Sequence, residues 1–406
     1  MNQVIVIGGG AAGMMAAITA ARNGAQVAIL EKNNRIGKKI LATGNGRCNY
    51  TNRFASVEDY NHPDFVGIGL ALFGADESIN FFQELGIEPK EEEEGKCYPM
   101  SEQASSIVDV FLYELDRLSI PVHTEVQVLT IQKKSNRFLV KTNKGEFTSD
   151  QLILATGGKA LPASGSDGSG YAYAMSLGHS IRNVYPSINK LKLNSPHLKH
   201  LSGVKIKSSA ILYVNEEPIQ IEEDDILFTA VGISGPTILQ LSREATLAYE
   251  AGKHVEIGIK LLPTMLIKEV VSRLKNFEDK TIEQALIGLV NKRFIGPLVK
   301  DAGLPSIHTL VSSLSKREKE DLINLLFDWR FEVSGYLGFE EAQATIGGVS
   351  IPEINPLTME SNLVPGLYFA GEVMDVDGRC GGYNLQWAWT SGYLAGLSSA
   401  IAEKNV

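Results

Sequence analysis

Residues 41–52 read LATGNGRCNYTN, in which small and polar residues crowd around one thiol, Cys48. Such a thiol either attacks or exchanges electrons, or packs inside a loop that wraps a ligand. A reactive cysteine needs a depressed pKa, supplied by a cation, a histidine or a helix start. No histidine lies near Cys48 in sequence, and Arg47 is the neighbouring cation that could lower its pKa. The packed reading is therefore favoured, with Arg47 keeping the reactive one open.

A second group of chemically suggestive residues opens the chain. Gly8, Gly10 and Gly13 give GxGxxG directly after the run VIVI at 4–7. That run has the β-branched pattern of a parallel strand buried on both faces. An Ala- and Met-rich helix follows, then a second strand at 26–30 that ends at Glu31. Gly8 permits the tight turn, Gly10 lets backbone approach a pyrophosphate, and Gly13 lets the helix pack on the strand. Ala12 lies in the helix start, whose free N–H groups bind anions. Glu31, followed by Lys32, can accept from ribose hydroxyls and would repel a 2′-phosphate. The motif in this full context marks a dinucleotide site, without choosing between FAD and NAD.

The stretch RIGKKILATGNGRCN (35–49) bears on that choice. A simple NAD domain would run into another amphipathic helix here. This run is glycine-rich and basic instead, and can lay backbone N–H groups with Lys38, Lys39 or Arg47 along a long anion. That suits FAD. GKKILATGNGRCNYTN resembles the G-[RK]-K-x-x-x-[ST]-G-x-G-R-C-N-x-[ST]-N signature of a bacterial flavoprotein family. Its members carry labels such as NAD(FAD)-utilizing dehydrogenase and aminoacetone-oxidase-like enzyme, and bile-acid reductases are among them. The wider relatives are the glutathione-reductase-like flavoproteins. The resemblance implies that Lys32, Lys38, Thr43, Gly44, Gly46, Arg47, Cys48 and Asn49 contact non-covalently bound FAD.

Two more stretches carry the resemblance. LILATGG (152–158) resembles a fingerprint whose small residues, Ala155, Thr156, Gly157 and Gly158, sit close to the cofactor. It is preceded by a β-meander in which Val128 holds a place that meets adenine through its backbone. GLYFAGEVMDVDGRCGGYNLQWAWTSG (366–392) resembles the family's late motif. There Gly371 and Glu372 stand where relatives carry Gly-Asp for the ribityl chain. Gly382, Tyr383, Asn384 and Leu385 open a helix whose positive end would face the flavin N1/O2 edge. Arg379 and Tyr383 are candidate proton donors near that turn, although no catalytic residue is assigned. Asp375 and Asp377 are expected to hold the loop, and Trp387 and Trp389 to pack in the core.

The chain has 406 residues, too long for one ordinary core. The fold expected is α/β: a discontinuous Rossmann-like FAD-binding domain (1–188 and 346–406) with an insertion. Residues 189–263 and 331–345 alternate like a small β-barrel substrate domain, and 264–330 carry helical periodicity as a helical subdomain. Within the insertion, LFTAVGISGPTILQLS (227–242) holds Gly232, Gly235 and Pro236, which either bring backbone to a ligand or make a barrel-to-helix turn. Substrate selectivity is expected in the insertion, because a flavin needs a cover against water.

A net charge of −9 and the lack of a basic stripe argue against nucleic acid or an anionic membrane as partner. Glu91–Glu94 reads as a solvated turn. Three scattered cysteines make neither a disulfide framework nor a zinc site, and no metal is expected. No secretory leader is recognised and no apolar run reaches the ~20 residues of a membrane span, so a cytoplasmic location is expected. These observations point to an FAD-dependent oxidoreductase acting on a small organic molecule. NAD(P)H would be at most a transient hydride donor, since no second fingerprint is present. An amine oxidase using O2 and a flavin-bearing RNA-modifying or RNA-binding protein are the alternatives.

Overall fold

The computed structural model describes residues 2–402. They fold as two compact units, 2–187 with 339–402 and 188–338. In the first, five parallel strands form the central sheet: β1 (Gln3–Ile7), β2 (Gln26–Leu30), β3 (Val122–His123), β4 (Gln151–Leu154) and β5 (Leu367–Phe369). Their spatial order is β5-β4-β1-β2-β3. Order reverses at β1, and ligands of such sheets bind beyond the carboxyl ends of the strands at that point. Val4 to Ile7 are buried, as a strand covered on both faces requires.

Two helices cover the sheet next to β1. Helix α1 (Ala11–Arg22) directly follows it, and α2 (Tyr383–Ile401) closes the described chain. Their contact is unusually close because α2 presents glycines to α1. A Cβ on Gly392 would lie 2.6 Å from the Ala12 carbonyl oxygen, and one on Gly396 would collide with that of Ala16. Trp389 is fully buried and its indole N–H donates to the Tyr50 carbonyl at 2.7 Å. It stacks on Phe111 and meets the edge of Phe82, which extends the core away from the sheet.

The second unit is a closed barrel of six strands: Leu191–Asn194, Gly232–Ser234, Glu217–Phe228, Lys205–Val214, Val255–Lys260 and Trp329–Tyr336. The helical stretch has no core of its own. Phe294 from the helix Lys292–Asp301 packs 5.5 Å from barrel Phe228 and 5.9 Å from Trp329. Residues 188–338 thus share one interior, and the chain returns to the first unit at 339, earlier than the pattern places it. Gly232 and Gly235 also find their reason here. A Cβ on either would strike strand backbone, at Leu191 and Asp225 respectively, so the 227–242 stretch is built for barrel packing and the turn into the helix Pro236–Glu250.

The close approach of α1 and α2 predicts the effect of Gly396→Ala. An exposed glycine in a helix would gain up to ~1 kcal/mol on becoming alanine. Here the methyl must push against the α1 backbone, and overpacking costs about 1–3 kcal/mol. Calorimetry should show a lowered melting temperature; an unchanged or raised one would refute the close-contact account.

Candidate functional site

The turn between β1 and α1 is set by backbone contacts. Gly8 has φ +105°, and a Cβ on it would collide with the Ala155 carbonyl oxygen at the end of β4. A Cβ on Gly13 would strike the Gly8 carbonyl, so Gly13 packs helix on strand and does not itself line a cavity. Gly10 differs, since a Cβ there meets no protein atom within 4 Å. It faces a cleft with about 1260 Å³ of atom-free space, continuous with solvent. The N–H of Met14 is the first to bond within α1, to Gly10, which leaves those of Ala11 to Gly13 without intrahelical acceptors. No side chain caps the helix and no acid sits in its first turn. The helix start therefore presents positive charge to an anion.

Glu31 braces this turn from the end of β2. It is buried, its Oε2 accepts the Gly9 N–H at 2.8 Å, and its Oε1 accepts both the N–H and the side-chain amide of Asn33 at 2.7 Å. An ionised carboxylate has about four acceptor sites, so one remains after these three bonds.

The cleft gathers Gly8, Gly10, Ala12, Glu31, Lys32, Lys38 and Thr43 from the first segments of the unit. Val128, Ala155, Thr156 and Gly157 join them from the middle, and Gly371, Glu372, Asn384 and Leu385 from the late motif. The Val128 carbonyl is already engaged, accepting the Tyr173 hydroxyl at 2.8 Å. The first turn of α2 repeats the logic of α1: its N-cap Gly382 has φ +100°, no side chain caps it and no acid follows. Lys39, one of the three cations expected along the ligand, is also on the lining, whereas the loop Ser164 to Asp167 was not anticipated. The glycine-rich GSDGSG at 165–170 was the available signal for that loop.

Thr156 Oγ1, Ser166 Oγ and Glu372 Oε1 are buried polar atoms of lining residues that find no hydrogen-bond partner among the described residues. Buried polar groups are normally paired, so a polar ligand fits this wall. The combination of a dinucleotide turn, two uncapped helix starts, and acceptors and hydroxyls spread along one cleft matches the extended FAD molecule. Among the described residues no cluster of His, Cys, Asp and Glu is arranged to hold a metal ion.

The remaining expected contacts lie outside the cleft, each for a local reason. The 40–49 loop folds as a kinked turn with Gly44, Asn45, Gly46 and Cys48 at positive φ. Gly44 packs its backbone against Asn49, and Gly46 lies away from the lining. Asn49 is buried beside Gly382, and a Cβ on Gly382 would lie 2.6 Å from the Thr51 carbonyl. This loop therefore supports the start of α2. Arg47 turns outward, bonding Glu92 at 2.8 Å and Glu102 at 3.0 Å and lying 4.1 Å over the Tyr98 ring. The acidic 91–94 run is thus ion-paired as well as solvated. Tyr383 packs edge-on to Tyr60, whose hydroxyl donates to the Tyr383 carbonyl at 2.9 Å. Asp375 lies 3.2 Å from His62, and Asp377 is buried and accepts the Ser187 hydroxyl, so both hold the 375–379 loop.

Cys48 is fully buried. Burial pushes its thiol up to about 12, against a smaller opposing pull from the Thr43 hydrogen bond. Burial also raises Cys97, and lifts Cys380 to about 11. At neutral pH the native thiols should therefore be almost wholly protonated, and reactivity should rise only in alkali. Titration with a disulfide reagent at pH 7.5 should find no rapidly reacting thiol before unfolding and three after it. Cys48→Ser should keep the bound flavin. Fast labelling of Cys48 in the native protein would contradict the packed assignment.

Comparison with known proteins agrees with this geometry. Residues 2–398 match the family model described as "HI0933-like protein Rossmann domain". A 3-dehydro-bile acid delta(4,6)-reductase of Clostridium scindens is 38% identical over 98% of this chain and 99% of its own length. A ribosomal RNA dihydrouridine synthase of Escherichia coli is 32% identical over 99% and 98%. Among solved structures, a 3-ketosteroid delta1-dehydrogenase from Sterolibacterium denitrificans shares the fold with a TM-score of 0.53 at 12% identity, covering 99% of this chain and 100% of that one. The chain belongs to the HI0933-like Rossmann family of FAD-binding oxidoreductases.

Proposed function

We propose that this FAD-dependent oxidoreductase reduces a carbon–carbon double bond in a small organic substrate, with reduced nicotinamide as a transient donor. The observation that carries the reading is the full-length similarity, at 38% identity, to a reductase of an unsaturated bile acid. The cleft is consistent with it. When bound, FAD supplies hydride transfer, and the two electrons and two protons added to the substrate must come from a donor and from solvent or side chains.

The chain's own residues bind and orient that cofactor. The first turn of α1 and the backbone at Gly10 would hold the pyrophosphate. Glu31 would keep the glycine turn in shape and accept from a ribose hydroxyl. The first turn of α2, with Asn384 and Leu385, would place positive potential where reduction adds negative charge. Asn384 is fixed for this by its own turn, accepting the Gly378 N–H at 3.0 Å and donating to the Gly378 carbonyl at 2.9 Å.

A second reading takes a uridine base in ribosomal RNA as the substrate. It is favoured by the 32% identical relative of that name and opposed by the net charge of −9. Nothing comparable favours an amine oxidase.

The purified protein should be yellow and release FAD on acid or heat treatment. Anaerobic NADH or NADPH should bleach the flavin, and an unsaturated 3-oxo steroid should restore its absorbance. Re-oxidation by unmodified rRNA but not by the steroid would move the assignment to the second reading, and rapid re-oxidation by neither would reject both. Glu31→Ala removes one hydrogen bond to the glycine turn and two to Asn33, and should weaken FAD binding roughly ten- to a hundred-fold, about 1.4–2.8 kcal/mol. Turnover should return at saturating FAD; a defect that persists there would contradict a binding role.

A further inference from the structure

Lys39 and Glu372 are 333 residues apart in sequence, yet Lys39 Nζ lies 2.6 Å from Glu372 Oε2. Lys39 precedes the turn Ile40–Gly46, and Glu372 sits in the turn Gly371–Val373 that follows β5. Both side chains line the cleft and are largely shielded, at 24% and 19% exposed. The other Glu372 oxygen, Oε1, is buried without a hydrogen-bond partner among the described residues. Gly158 crowds it, since a Cβ there would come within 2.9 Å of Oε1. Of Lys38, Lys39 and Arg47, three of the four cations in the basic stretch, Arg47 is committed to Glu92 and Glu102, and Lys38 reaches the Ala163 carbonyl at 3.4 Å. Lys39 is the one of the three that meets an acid on the lining.

We infer that Lys39 is a positioning residue: its ion pair fixes Glu372 and neutralises it, so that Oε1 can face an anionic cofactor. The inference rests on the FAD assignment above. A carboxylate on the wall of a cleft that takes a pyrophosphate repels its ligand unless a cation accompanies it. Removing one partner of a shielded pair leaves an uncompensated charge and is more damaging than removing both. Lys39→Gln should therefore be worse than Lys39→Gln/Glu372→Gln. A lysine that simply touched the cofactor would show losses that multiply.

The test uses the holoenzyme. Flavin release after dilution is followed by fluorescence, and the flavin midpoint potential by anaerobic titration. Lys39→Gln should release FAD at least about tenfold faster than the wild type, and Lys39→Arg within about threefold of it. The double variant should stay within about threefold of Glu372→Gln alone. Loss of the cation disfavours the extra negative charge of reduced flavin, so the potential should fall in Lys39→Gln, rise in Glu372→Gln and return close to wild type in the double variant. Unchanged release and potential in Lys39→Gln, or losses that multiply in the double variant, would overturn the inference. If Lys39→Gln alone does not fold, a folded double variant supports the coupling and an unfolded one overturns it. A wild-type protein without FAD would instead overturn the cofactor assignment.

Discussion

The start of α1 is held in place by contacts between backbones, and the rest of the cleft depends on them. Gly13 rests on the Gly8 carbonyl, Gly8 on that of Ala155, and Gly392 and Gly396 of α2 on those of Ala12 and Ala16. Each contact needs the absence of a Cβ. Together they fix β1, β4 and both helices at one depth, so the free N–H groups of two helix starts open on the same space. A helix start binds an anion by direction as much as by charge. Small shifts in packing would therefore cost binding even with every side chain intact.

Acids on the lining are handled separately, by pairing. Glu31 is occupied by N–H donors of its own turn, Asp167 by Lys32 at 2.6 Å, and Glu372 by Lys39. Each of these acids is thus compensated locally, and the helix starts, with Arg35 and Lys38 on the lining, supply positive potential to the cleft. The chain's overall acidity need not oppose an anionic cofactor, because screening confines surface charges to about 10 Å.

This arrangement explains what could be read from sequence. Glycines that are required for steric reasons sit at fixed spacing, so Gly8, Gly10 and Gly13 announce the turn and its partners unaided. The late motif is legible for the same reason: Gly371 and Gly382 hold positive φ at the places where the chain turns into the cleft. Arg47 and Tyr383 were less legible because side-chain direction depends on neighbours far along the chain. Arg47 follows Glu92 and Glu102, whereas Tyr383 follows Tyr60. Lys39 and Lys38 are adjacent and chemically alike, and their separate partners emerge only when the turn at 371–373 is brought in. The helices of 264–330 were visible by periodicity, but not that their apolar faces complete the barrel interior.

The same constraints limit what the cleft can specify. Its glycines, helix starts and paired acids are matched to a nucleotide-bearing cofactor, and none of those features distinguishes a steroid from a nucleobase. The two relatives carry names with a bile acid in one and ribosomal RNA in the other, yet each aligns over almost the whole chain. Backbone contacts resist substitution because any added atom collides, while side chains away from such contacts can change at little structural cost. A fold held together in this way can keep its cofactor while its substrate diverges.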